Sequence, residues 1–171
     1  MDKKKRNIIV VLVIGIGSLV AAIAFVAWMW SYIGDYIVFK KDSVNTERFI
    51  EVAKEEGFEV NDAIEDYADY DYVVEATRAD ESEGKMTVRF LQVDSKESAK
   101  ASYEYIVEGL QTGSVSEGGY GKALNYAWCE LYEHVNEQYY YLAYVEDTCL
   151  FIEGREEERE SIEEFVKKLG Y

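Results

Sequence analysis

Hydrophobic positions along this chain change character at about residue 40. From Ile8 to Trp30 they form a continuous apolar run without a charge, whereas further on they recur at helical or strand spacing between polar residues. A run of about 23 residues at 1.5 Å per residue reaches roughly 34 Å, enough for a hydrocarbon core of about 30 Å. Residues 8–32 are therefore read as a single transmembrane helix, with 1–7 as a basic cytoplasmic flank and 33–41 as a short juxtamembrane segment. Lys3, Lys4, Lys5 and Arg6 precede the run, which predicts a cytoplasmic N-terminus and an extracytoplasmic C-terminal domain. A cleaved signal peptide is the rival, since Ala22-Ile23-Ala24 has the small-x-small form. Against it, the apolar stretch is long and continues past Ala24 as Phe-Val-Ala-Trp-Met-Trp.

Residues 42–171 are read as one α+β domain. Phe49, Ile50 and Ala53 form a stripe that predicts a helix over 45–56, closed by Gly57. Asn61 to Tyr72 has no clean period. Alternation predicts strands over 72–77 and 86–93 around a turn at Asp80 to Gly84. Asp94 and Glu97 have the spacing of a capping box, opening a helix with the stripe Ala99, Tyr103, Ile106 and Leu110. Thr112 to Lys122, with four glycines, is read as a mobile loop. Strands over 124–134, 139–146 and 149–153 follow, with turns at Asn136-Glu137 and Glu146 to Thr148. A final helix carries Ile162, Phe165, Val166 and Leu169, and ends on Gly170 with Tyr171 folding back. The expected architecture is an antiparallel sheet of about five strands with helices packed on one face, preceded by the transmembrane helix.

Charge narrows the partners. Of 18 basic and 34 acidic residues, four basic and two acidic ones precede residue 40, which leaves 14 against 32 in the remainder. That surface excludes nucleic acid, whose phosphates require a basic face. The chain contains no proline, and no Gly/Ser linker separates the apolar run from the domain.

Catalytic and metal motifs are weak. His134 stands beside Glu133 without a nucleophile motif, and a surface role is expected. Asp62, Glu65, Asp66, Asp69 and Asp71 lack the order of a calcium loop, as does the segment Asp80 to Gly84. The glycine segment ending Gly121-Lys122 lacks a phosphate-loop frame. Cys129 and Cys149 are expected as buried free thiols if their strands lie in a simple meander, because a whole strand then separates them. No cofactor, metal or catalytic residue is assigned.

Tyrosine and tryptophan are concentrated on one hairpin. Period-2 alternation puts Ala127, Cys129 and Leu131 on the face of Leu142 and Tyr144, and Trp128, Tyr132, Tyr141 and Val145 on the other. These last four residues are the candidate interaction face, since such side chains suit both half-buried sheets and interfaces. The sequence-based expectation is thus a non-enzymatic, membrane-anchored binding module of a bacterial cell-surface type, with a protein partner at the membrane surface. A subunit of a membrane complex assembled through residues 8–32 is the first alternative. A carboxylate-dependent extracytoplasmic hydrolase is the second.

Overall fold

The computed structural model describes residues 41–111, 115–123 and 125–171. The chain divides into two units, Met1–Phe39 and Lys40–Tyr171, and every element below belongs to the second. In chain order these are α1 (Thr46–Glu55), β1 (Glu59–Asp62), a 3-10 turn (Ile64–Tyr67), β2 (Val73–Asp80) and β3 (Met86–Val93). Then come α2 (Lys96–Gln111), β4 (Val115–Lys122), β5 (Tyr126–Glu133), β6 (Gln138–Val145), β7 (Thr148–Arg155), a second 3-10 turn (Glu156–Glu158) and α3 (Arg159–Leu169).

Local chemistry accounts for the helix ends. The Asn45 side chain accepts a hydrogen bond from the Arg48 amide at 2.9 Å, satisfying one of the free donors of α1. Gly57 follows that helix with φ 85°. At α2 the cap is Ser95, whose hydroxyl accepts from the Ser98 amide at 3.2 Å, while Asp94 accepts from the Ser98 hydroxyl at 2.6 Å. The expected capping box is therefore displaced by one residue. At α3, Gly170 is left-handed (φ 95°) and the amides of Gly170 and Tyr171 both donate to the Val166 carbonyl. That is the fold-back expected from the sequence.

The seven strands of the described residues form one sheet, antiparallel throughout, in the order β1-β2-β3-β7-β6-β5-β4. One face carries α1 and α3 over a core that includes Phe49, Phe90, Tyr139, Leu150, Ile152, Ile162 and Phe165. The Phe49 ring stacks on Phe90 at 4.9 Å and meets Phe165 edge-on at 6.3 Å. The other face carries α2, through Ala99, over Leu91, Cys129, Leu131, Leu142 and Tyr144.

Three expectations are corrected by this arrangement. The sheet has seven strands where about five were expected: β1 emerges from the aperiodic acidic stretch, and β4 from the glycine segment read as a loop. The helices cover both faces and not one, because the interior strand β6 is buried on both sides along nearly its whole length. Its sequence, Gln-Tyr-Tyr-Tyr-Leu-Ala-Tyr-Val, is a near-continuous apolar run, and a strand of that kind requires cover above and below. Finally, no helix among the described residues is long and apolar enough to cross a membrane. The longest, α2, has 16 residues and so extends only roughly 24 Å, and it carries Lys96, Glu97, Lys100, Glu104 and Glu108. The segment expected to span, 8–32, lies outside the described residues. The single-pass placement, with its cytoplasmic N-terminus and extracytoplasmic domain, thus has no spanning helix among the described residues to carry it and is withdrawn.

Candidate functional site

The distinctive surface is the α1/α3 side of the sheet where it runs out to the edge strand β4. Register places Trp128 opposite Ala143 and Gly121, Glu130 opposite Tyr141 and Gly119, and Tyr132 opposite Tyr139 and Ser116. On β4 the positions facing this side are therefore small. A Cβ at Gly121 would run into the indole of Trp128, and one at Gly118 into the ring of Tyr132. The glycines leave room for the rings of β5 to lie over the backbone of the edge strand, the same accommodation by which aromatics compensate for glycine in sheets.

Of the four residues expected on this face, Trp128 and Tyr132 are half-buried, while Tyr141 and Val145 are 6% and 1% exposed. Trp128 stacks on Tyr141 at 6.2 Å, and Tyr132 packs on Tyr139 at 5.2 Å and beside His134 at 6.4 Å. Val145 belongs to the core at the far end of β6 and takes no part in the exposed surface. The result is a shelf with two aromatic rings reachable from solvent, seated on two buried tyrosines.

Two charged residues complete it. Glu130, 8% exposed, receives a hydrogen bond from Arg159 at 2.9 Å. Arg159 opens α3, also holds Glu163 at 2.7 Å, and lies 5.7 Å from the ring centre of Tyr132 and 5.9 Å from that of Tyr139. Burial pushes the Glu130 carboxyl above the usual glutamate range, with Arg159 opposing and Glu163 adding to the shift. A group whose folded pKa is raised favours the folded state most below its unfolded value, and that contribution is lost as pH rises through the folded pKa. Replacing Arg159 by alanine removes the opposing charge, so the Arg159→Ala variant is expected to lose about 1–2 kcal/mol at pH 7 and distinctly less at pH 4. Urea unfolding at the two pH values checks this; an equal loss at both would contradict it.

Under the shelf the Tyr139 hydroxyl is buried without a hydrogen-bond partner among the described residues, and burial holds it protonated far above the ordinary tyrosine range. An unmade buried hydrogen bond costs free energy, so Tyr139→Phe is expected to stabilise the fold by about 1 kcal/mol. A loss of similar size in urea unfolding would show that the hydroxyl has a function in the fold.

No protein-family model matches the chain, and neither does any curated protein sequence. A solved structure described as a GTP binding regulator from Thermotoga maritima superimposes with a TM-score of 0.48 at 14% identity, over 74% of this chain and 84% of that one. Likeness at that level carries no argument about activity.

The other sequence candidates are placed as follows. The Ser116 hydroxyl, near the start of β4, lies 2.9 Å from Nε2 of His134 in the turn after β5. No carboxylate among the described residues hydrogen-bonds this histidine, so the pair lacks the orienting acid of a triad. Cys129 and Cys149 are buried thiols not joined in a disulfide, on strands separated by β6. Burial pushes the Cys149 thiol to about 12, and it donates to the Ala99 carbonyl at 3.3 Å. Among the described residues no group of three or more His, Cys, Asp or Glu side chains is placed to hold a metal ion. The acidic stretch instead runs from the end of β1 through the first 3-10 turn toward β2, and Asp62 accepts from the Ile64 amide at 2.9 Å.

Glu130, Tyr139 and Arg159 were not singled out from the sequence. Glu130 follows from the same alternation that selects Trp128 and Tyr132. Tyr139 opens the strand expected over 139–146, and the same alternation puts it on the face of Tyr141. Arg159 comes from a different element, and nothing local signals its approach.

Proposed function

We propose that residues 40–171 are a non-enzymatic binding module that takes up an extended, basic segment of a partner protein along β4 and the aromatic shelf. The observation that carries this reading is the pairing of two half-exposed aromatic rings with a side-chain-poor edge strand. An edge strand offers a row of N–H and C=O groups to an added strand, and neighbouring rings supply contacts for alternate side chains. Exposed aromatics over such an edge are worth more to recognition than to folding.

Charge selects the segment. The charges that act on Tyr132 include Glu130, Glu156 and Glu163 and the cation Arg159, and the unit as a whole carries 32 acidic and 14 basic residues. Lysine or arginine side chains of a partner would meet this field and the faces of Trp128 and Tyr132. The hydrolase alternative gains no support from the shelf, because the Glu130 carboxylate there is engaged by Arg159.

Fluorescence anisotropy with a labelled peptide of alternating lysine and valine tests the reading. The expected outcome is saturable binding that weakens as salt is raised, and no binding of the matching glutamate-valine peptide. Equal binding of the two peptides would overturn it.

A further inference from the structure

The face opposite the shelf holds a cavity that the proposed function does not use. It lies between α2 and the sheet, has a volume of ≈ 250 Å³, and is walled by Leu91, Ile106, Leu142, Cys149 and Phe151. Arg89 on β3 is the only charged residue in its lining.

Arg89 is unusual in how little it is engaged. Its guanidinium lies 5.3 Å from the ring centre of Phe151, and its ion pair is with Glu153, at 3.8 Å from Nη1. That separation is outside hydrogen-bond range. The cross-strand neighbour Arg78 shows the contrast: its guanidinium donates three hydrogen bonds to Asp80 at 2.8–3.0 Å. No hydrogen bond connects the Arg89 donors to protein acceptors among the described residues, and its side chain is only 33% exposed. An arginine held on an aromatic face, ion-paired to Glu153 without a hydrogen bond and beside a largely apolar cavity that also includes Tyr67 and Tyr103, can receive a carboxylate bidentately.

We propose that this cavity binds a small apolar carboxylate, with the acid on Arg89 and the hydrocarbon part against Leu91, Ile106, Leu142 and Phe151. The volume is slightly below the usual range for ligand pockets and suits a ligand of about ten non-hydrogen atoms. The acidic surface repels anions at a distance, but at physiological salt that repulsion is screened beyond about 8 Å. Contact with Arg89 and burial of the apolar part act inside that range.

The test uses 4-phenylbutyrate and its uncharged counterpart 4-phenylbutan-1-ol, followed by amide chemical-shift titration of the full chain. Wild-type protein is expected to bind the carboxylate at least tenfold more tightly than the alcohol, with the largest shifts at Leu142, Cys149 and Phe151. Arg89→Gln is expected to remove that preference while leaving alcohol binding in place. Ile106→Trp, which fills the cavity, is expected to abolish both. Absence of carboxylate binding up to about 10 mM would overturn the proposal. So would an undiminished preference in Arg89→Gln. Should Ile106→Trp fail to fold, the Arg89→Gln comparison decides alone, since that side chain is not part of the apolar core.

Discussion

Truncating Phe49 to alanine is expected to cost about 3–5 kcal/mol, the range for removing a fully buried aromatic ring. Phe49 is 0% exposed, and its ring joins β3 to α3 by stacking on Phe90 and meeting Phe165. Loss of the ring would remove both contacts and leave a void that three elements cannot close together. Domains of this size are stable by roughly 5–15 kcal/mol in total, so the variant should be close to unfolding. Tyr105, 75% exposed on α2, is the matched control: Tyr105→Ala should change stability by less than about 0.5 kcal/mol. Urea unfolding of the two variants checks the ratio. A loss below about 1 kcal/mol for Phe49→Ala would contradict the packing described for that face.

The second large effect concerns recognition. Replacing Trp128 and Tyr132 together by alanine is expected to weaken binding of the lysine-valine peptide by at least tenfold, as truncation of aromatic anchors does at interfaces. Both rings are half-buried and rest on Tyr141 and Tyr139, which are themselves in the core. Removal exposes the lower tyrosines and uncovers the glycines of β4, while α1, α3 and strands β1–β3 and β7 keep their packing; the amide shifts of β4 in the unbound double variant show whether the edge strand is still formed. Tyr105→Ala again serves as control, since it lies on α2, outside the shelf. Unchanged peptide affinity in the double variant would remove the shelf from the account.

Much of this architecture could be read from the pattern of residues, and the parts that could not have physical causes. Period-2 alternation sorted the two faces of the β5–β6 hairpin correctly, because every cross-strand pair preserves the face. The closing of α3 by Gly170 and Tyr171 was equally readable, since a left-handed cap leaves a local signature. By contrast β4 has no strand propensity of its own: Gly118, Gly119 and Gly121 are tolerated there because Trp128 and Tyr132 cover them. That cover comes from tertiary packing and leaves no mark in the segment's own sequence. The position of β6 between two helical layers was signalled by its unbroken apolar run, which outweighs any assumption of one solvated face. Arg159 reaches Glu130 from an element 29 residues away, a contact that only the folded chain reveals.

The most direct test of the recognition surface is an amide chemical-shift map of the lysine-valine peptide bound to the protein. Pairing along the free edge predicts the largest shifts at the backbone amides of β4, together with the Trp128 indole N–H. Shifts concentrated elsewhere would contradict it, for example in the groove of ≈ 530 Å³ between α1 and β1–β2 lined by Ile50, Val60 and Val74.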